Sequence, residues 1–294
     1  MFSQDDKKKL IDHFKTPLRH RQLSQHAQDI IGDTSFNTVS NFIRKLQTEG
    51  IIHSYELKAK NDKTVTLYAS CSLDEVSPYD LGQAMFPDGY FCDLSSIYYH
   101  SLTNQIPKTI YICHETISAS RKGKADVLNN TILRSAFIKP HRYTNYVFEH
   151  NNYEIVVIDR KKNSGYGVTK VTAQNAICPS SSRVTSIERA LIDAIVSPQY
   201  NGGIVSVYTY FKHARQKLNI HKLVDIYRQL DFVYPYSQSI GFFLDKLGIQ
   251  KQASLIHNEF PPKHKFYIDH IAKASWKFDE KWNLYYPNGL VDEN

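Results

Sequence analysis

The sequence has few cysteines and no long apolar run, and these absences exclude whole classes of protein. The four cysteines are Cys71, Cys92, Cys113 and Cys178, and no two of them stand at a C-x-x-C spacing. This spacing argues against a zinc ribbon and a disulfide scaffold, and it favours a reduced, cytoplasmic compartment. No run approaches the ~18 apolar residues of a membrane-spanning helix, and the polar N-terminus predicts no signal peptide. We therefore expect a cytoplasmic protein that does not associate with membranes.

Signature motifs of several enzyme classes are also missing. The sequence contains no GxxxxGK(S/T) loop, no GxGxxG after a strand, no HExxH pair and no GxSxG turn. The sequence therefore does not support the four common types of active site that these motifs mark. Cys113, His114 and Glu115 are adjacent, but neighbouring residues on a strand point to opposite faces and do not form a dyad by themselves. We expect a protein that is not an enzyme and that needs no metal and no cofactor.

The composition predicts a folded, mildly basic protein. Of its 294 residues, 41% are hydrophobic and 22% are charged, which is enough apolar material to bury a core. This length favours about two domains. The net charge of +7 is compatible with nucleic acid or another anionic partner but is far below a histone-like excess. Any contact with DNA should therefore be local.

The first seventy residues have the pattern of a winged helix-turn-helix. Apolar spacing predicts helices at residues 5–15, 21–31 and 36–48, and alternation predicts strands at 51–57 and 64–69. In a winged helix-turn-helix the third helix enters the major groove and the hairpin lies along the DNA backbone. We expect residues 1–72 to form such a DNA-binding domain.

The third helix should present its polar face to DNA. Phe36, Val39, Ile43 and Leu46 are spaced to pack inward, which leaves short amides, hydroxyls and cations outside. The side chains predicted to contact DNA from this helix and the turn before it are Ser35, Asn37, Thr38, Asn41, Arg44 and Lys45.

The hairpin tip carries the cations that a wing needs to meet phosphates, namely Lys58, Lys60 and Lys63. Replacing Arg44 should weaken specific binding and relax the preference at one base. Replacing Lys60 should weaken the binding of all DNA sequences to a similar extent. The same residues also fit a solvated helical face beside an ordinary lysine-tipped hairpin, and winged helices also serve as protein-interaction modules. These alternatives stay open at this point.

A larger α+β domain should follow, from residue 79 to 294, after a boundary at 71–79. Helical pieces are predicted at 79–85 and 94–101. Strands are predicted at residues 109–113, 133–138, 145–148, 153–159 and 167–170. Helices are predicted at 186–195, 204–216, 221–230 and 236–247, and short strands in the last 25 residues. Because strands and helices are grouped rather than alternating, the fold class is α+β.

Four segments resemble the AbiEi-type antitoxins of type IV toxin–antitoxin systems, and the resemblance covers nearly the whole chain. They are FPDGYFCDLSSIYYHSLTNQIPKTIYIC at 86–113, VTSIERALIDAIVSPQYNGGI at 184–204, SIGFFLDKLGI at 239–249 and WNLYYPNGL at 282–290. The sequence departs from the family pattern at Ala190, where the family has threonine in a position that we expect to serve packing.

The resemblance implies a transcriptional autorepressor and antitoxin of a phage abortive-infection system. Its winged helix would bind an operator inverted repeat, with two copies on the two half-sites and hence a possible dimer on DNA. Its larger domain would neutralise a nucleotidyltransferase-like toxin encoded beside it, without needing a lasting complex. A stand-alone regulator that senses a ligand is the alternative without a toxin.

A metal-dependent nuclease is the alternative from a different class. Asp159 and Lys161 end a hydrophobic strand, as in the acid-x-Lys half of such a site, and the second acid would be Asp126 or Glu149. The discriminating feature is whether Asp159 meets another carboxylate around a cavity. Glu188, Arg189 and Asp193 also suggest catalysis at first sight, but we expect ion pairs that fix their helix against the sheet.

Overall fold

The N-terminal part consists of three helices followed by a hairpin. The computed structural model describes residues 2–32, 36–116, 128–161, 165–171, 178–179 and 182–291, with residue 161 by its backbone alone. The first five elements are α1 (Gln4–His13), α2 (His20–Ile31), α3 (Val39–Thr48), β1 (His53–Lys58) and β2 (Thr64–Ala69). Leu18 pairs with Tyr68 of β2 through two backbone hydrogen bonds of 2.9 Å, which adds a short third strand to the hairpin.

The helices begin where capping side chains allow it. Ser3 caps α1 in a reciprocal pair with Asp6, and Thr38 caps α3 by accepting from the backbone N–H of Asn41. Their apolar faces form one core, which includes Leu10, Phe14, Leu23, Phe42 and Leu46. Gly32 ends α2 in a right-handed conformation, not the left-handed conformation typical of a C-terminal glycine.

The larger part combines a six-stranded sheet with a layer of helices, which confirms the predicted α+β class. Short 3-10 turns stand at Leu73–Glu75 and Pro198–Tyr200. Its strands are β3 (Tyr90–Phe91), β4 (Thr109–Thr116), β5 (Val147–His150), β6 (Tyr153–Lys161), β7 (Val168–Lys170), β8 (Arg183–Thr185), β9 (Phe266–Tyr267), β10 (Lys277–Asp279) and β11 (Leu284–Tyr286). Its helices are α4 (Pro78–Met85), α5 (Asp93–Tyr99), α6 (Asn130–Phe137), α7 (Ile187–Val196), α8 (Ile204–Ala214), α9 (Ile220–Leu230), α10 (Ser237–Lys246) and α11 (Gln250–Glu259).

The six-stranded sheet has the order β5-β6-β4-β3-β8-β7 and is mixed. At its centre β4 and β6 run parallel over eight residue pairs, with His114 opposite Asp159 and Glu115 opposite Arg160. A separate three-stranded sheet has the order β10-β11-β9. No helix among the described residues combines the length and apolar character that crossing a bilayer requires.

Two predicted assignments in this part are wrong or incomplete. Residues 133–137 belong to helix α6 rather than to a strand and Ile138 is its C-cap, because Asn129 caps the start of the helix and Leu133 and Phe137 share its buried face. Their spacing of four residues is helical, and the β-branched pair before them obscured it. Helix α11 was not predicted, since only Ala253 and Ile256 of its residues are buried and its apolar stripe is thin.

The hairpin packs into the core of the six-stranded sheet. Ala59, Val65 and Leu67 belong to one apolar cluster with buried side chains of α4, β3, β4 and β6. Leu73, inside the predicted boundary segment, is buried in the same cluster. The hairpin therefore has a fixed position on the larger part of the chain.

Candidate nucleic-acid interface

The polar face of α3 borders a shallow groove of about 420 Å³. The groove is lined by Phe36, Asn37, Asn41, Arg44, Lys45 and Thr48. The opposite side of the helix is closed, because Phe42, Ile43 and Leu46 are buried in the helical core. The helix therefore presents the amide of Asn41 and the guanidinium group of Arg44 to solvent, while its other face packs in the core.

Asn41 and Arg44 act as a pair on this face. Arg44 Nη2 donates a hydrogen bond to Asn41 Oδ1 at 3.3 Å, one helical turn away. Because the Asn41 carbonyl accepts from Arg44, its amide N–H groups remain available as donors. Both side chains are exposed.

Asn37 and Thr38 do not lie on α3, which corrects the predicted helix start at residue 36. The helix begins at Val39, and Thr38 Oγ1 accepts from the Asn41 backbone at 3.3 Å. Phe36 packs against Phe42 with ring centroids 5.4 Å apart, so this segment is anchored before the helix begins. Ser35 lies outside the described residues.

Lys45 already has a carboxylate partner. Its ammonium group lies 2.7 Å from Glu49, which also contacts Lys7 of α1 at 2.9 Å. These hydrogen bonds, from Lys45 first and Lys7 second, lower the pKa of Glu49 to about 2. Lys45 is half-buried, and Glu49, which it contacts, joins the end of α3 to Lys7 of α1, a contact that the predicted outward position of Lys45 did not indicate.

The three hairpin lysines lie beside carboxylates. Lys58 contacts Asp62 at 2.7 Å. Lys60 contacts Glu149 at 2.7 Å and Glu154 at 2.9 Å, and its backbone N–H donates to Val147 O. The sequence did not indicate these partners of Lys60, because they lie about 90 residues away along the chain.

Lys63 completes this contact with the large sheet. Its ammonium group lies 4.2 Å from the centroid of the Tyr146 ring and 3.8 Å from Asp159 Oδ2. The positive charge of the hairpin tip is thus largely balanced within the protein.

Among the described residues, Asp159 contacts a lysine and a histidine rather than a second carboxylate. Its carboxylate contacts His114 at 3.5 Å and Lys63, whereas Glu149 faces Lys60 instead. No group of three His, Cys, Asp or Glu side chains within the described part of the chain could hold a metal ion. Asp126 and the side chain of Lys161 lie outside the described residues.

Buried charges between α7 and the sheet form ion pairs, as the sequence predicted. Asp193 Oδ1 contacts Arg189 Nε at 2.9 Å and Arg160 Nη1 at 2.5 Å, which joins α7 to β6. Arg160 also contacts Asp93 at 2.9 Å. Glu188 pairs with Lys222 and caps α9 by accepting from the backbone of Asn219.

Comparison with known proteins supports the fold and does not identify a family. The chain is similar to the RV2827C protein from Mycobacterium tuberculosis, whose crystal structure superposes with a TM-score of 0.54 and 11% sequence identity. The match covers 95% of this chain and 89% of that one. No protein-family model and no curated protein matches the chain. A likeness at this identity concerns the overall fold alone.

Proposed function

We propose that residues 1–72 form a winged helix-turn-helix that binds double-stranded DNA, and that the chain represses its own operon. The observation that carries the proposal is the exposed Asn41–Arg44 pair on α3, opposite a buried apolar face. Amide and guanidinium groups are the side chains that match base edges in the major groove.

The geometry around α3 supports the same proposal. The Leu18–Tyr68 strand contact joins the segment before α2 to the hairpin, and α2 and α3 share one apolar core. A rigid scaffold of this kind can hold a recognition helix in register with phosphates on either side. Two copies would occupy the half-sites of an inverted repeat, about one helical turn apart.

The structure changes which residues we assign to each type of contact. Asn41 and Arg44 would read bases, and Asn37 would lie beside them at the edge of the groove. Lys60 and Lys63 can reach phosphates only by giving up carboxylates of the large sheet. We therefore assign most of the binding free energy to α3 rather than to the hairpin.

The second part of the proposal is antitoxicity, and it rests on the resemblance to AbiEi-type antitoxins. Two of the resembling segments, 239–249 and 282–290, pack against each other through Gly241 and Trp282. The larger part of the chain would neutralise a nucleotidyltransferase-like toxin.

Co-expression with the neighbouring gene product tests antitoxicity, with both genes under an independent promoter. Growth should be rescued by the wild type and equally by Arg44→Ala, which lacks only the base contact.

The first test is a gel shift on the DNA upstream of the gene, against an unrelated duplex, at two salt concentrations. We expect a specific, salt-sensitive shift with intact DNA whether or not Mg²⁺ is present. An equal shift on both duplexes would remove the assignment of Asn41 and Arg44 as base readers. Cleavage that depends on Mg²⁺ would instead favour the nuclease.

A further inference from the structure

A cleft of about 580 Å³ opens between the start of α2 and the large sheet. One wall comes from the N-terminal helices and the other from the loop after α4 and from β4. This volume lies within the range of about 300–1,000 Å³ that is typical of small-molecule sites. The side chains that matter for its chemistry are Arg19, Arg21, Gln22, Phe86, His114 and Tyr146.

The α2 wall carries two arginines, and Asp88 also lines the cleft. Neither Arg19 nor Arg21 has a carboxylate within 4 Å among the residues that the structure describes, in contrast to Lys60 and Lys63 nearby. Gln22 Oε1 accepts from the Arg19 backbone N–H at 3.2 Å, which leaves its amide donors for a ligand. Guanidinium groups in such a position favour phosphate, which they can bind with two parallel hydrogen bonds.

The opposite wall is aromatic. The Phe86 ring lies 5.7 Å from His114 and 5.8 Å from Tyr146, measured between centroids, so the three rings are contiguous. His114 is the accessible member, with 42% of its side chain exposed, and Asp159 contacts its Nδ1 from the side. An accessible imidazole backed by a buried ring offers a planar surface on which a base can stack.

We infer that this cleft is a binding site for a nucleotide, with the base on His114 and the phosphate between Arg19 and Arg21. The two walls differ in chemistry as the two ends of a nucleotide do, because one carries guanidinium groups and the other aromatic rings. Since one wall belongs to the N-terminal helices and the other to the large sheet, the ligand would contact both parts of the chain. This inference does not depend on the proposed binding of DNA.

The test is calorimetric titration of the full-length protein with adenosine 5′-monophosphate, adenosine and inorganic phosphate. We expect the monophosphate to bind with a Kd below about 1 mM and adenosine to bind far more weakly. In the double variant Arg19→Gln/Arg21→Gln the monophosphate should bind at least roughly tenfold more weakly, because charge-assisted hydrogen bonds are lost. Arg19→Lys/Arg21→Lys should recover part of the affinity.

A matched control and a second readout separate this site from general charge effects. Lys8→Gln/Lys9→Gln removes the same charge from exposed positions of α1 and should leave binding unchanged. In NMR spectra the monophosphate should shift the imidazole signals of His114 and not those of His257, which packs against Trp282.

Three results would overturn the inference. One is the absence of monophosphate binding at millimolar concentrations, and another is equal binding of adenosine and its monophosphate. The third is an equal loss of affinity in the α1 control. If the wild type bound no monophosphate while Arg19→Gln/Arg21→Gln weakened the binding of duplex DNA, the two arginines would belong to a DNA contact instead, and the nucleotide site would be rejected.

Discussion

Lys60 Nζ lies 2.9 Å from Glu154 Oε1, which connects the hairpin tip to strand β6 of the large sheet. Glu149 contacts the same ammonium group at 2.7 Å. The hydrogen bonds that Lys60 donates, to Glu149 first and Glu154 second, raise the pKa of Lys60. A DNA phosphate that contacts Lys60 would therefore compete with two carboxylates.

This competition predicts that removing the carboxylates strengthens the binding of DNA. The double variant Glu149→Gln/Glu154→Gln should bind any duplex more tightly than the wild type does. The slope of log K against log salt should become steeper by up to ~0.9 for one additional phosphate contact. The measurement is fluorescence anisotropy over a salt series. Glu75→Gln/Glu280→Gln, which removes two exposed acids elsewhere, serves as control, and an equal gain there would mean that only net charge matters.

The second prediction concerns the base contact of Arg44. Arg44→Ala should weaken specific binding by ~1–3 kcal/mol and relax the preference at one base pair, because a bidentate contact to guanine is lost. Competition titrations with operator duplexes that vary at single positions measure both effects. Arg134→Ala on α6 is the matched control, since it removes an exposed arginine distant from α3. A uniform loss across all duplexes would make Arg44 a phosphate contact.

Elements and ion pairs formed by residues close together in the sequence were predicted well, whereas contacts between distant segments were not. Strand β2 and helix α7 were predicted within one residue, because strict alternation in one and an apolar stripe in the other are local signals. Glu188, Arg189 and Asp193 were predicted to form ion pairs without named partners, and the Arg189–Asp193 pair, four residues apart on one helix, is one of them.

The contacts that the sequence could not predict join distant segments. Lys60 and Glu154 are 94 residues apart, and nothing near Lys60 indicates that its partners are carboxylates rather than phosphates. The start of α3 was placed too early because Ser35 and Thr38 are equally good caps by residue type. The extended backbone of Thr38 and the packing of Phe36 against Phe42 accompany the later start of the helix at Val39.

The third prediction follows from the lowered pKa of Glu49, from 4.5 to about 2. The folded state favours the ionised carboxylate, so its stabilisation is complete above about pH 5 and is lost as the pH falls toward 2. Urea unfolding should show Glu49→Gln to be less stable than the wild type at pH 7, with a difference that shrinks at low pH. Glu56→Gln, for which no ion partner exists among the described residues, should show little difference. A difference independent of pH would contradict the assignment.

The fourth prediction separates structural carboxylates from catalytic ones. Asp193→Asn should reduce the free energy of unfolding by about 3–5 kcal/mol, because it removes the buried carboxylate that Arg160 and Arg189 share, although Asp93 still pairs with Arg160. Asp159→Asn should change it by no more than about 1 kcal/mol, since this carboxylate is 42% exposed. Urea unfolding of both variants measures these values. Mg²⁺-dependent DNA cleavage that is lost in Asp159→Asn would restore the nuclease hypothesis.

The fifth prediction concerns Gly241 in the middle of α10. A Cβ at this position would overlap the six-membered ring of Trp282, which is fully buried. Alanine normally favours a helix over glycine by ~1 kcal/mol, but overpacking a close contact costs ~1–3 kcal/mol or more. Gly241→Ala should therefore lower the urea midpoint of unfolding.

Two further variants test the cause of that loss. Gly32→Ala is the matched control: its Cβ would meet nothing within 4 Å and its φ of −58° suits alanine, so the stability should be unchanged or slightly higher. In a Trp282→Leu background the ring that Gly241→Ala would strike is gone, so the alanine should cost less than it does in the wild type. Additive losses in this double-mutant cycle would show that glycine is needed at position 241 for its backbone conformation and not for its contact with Trp282. The contact between the two segments would then contribute nothing to the free energy of unfolding.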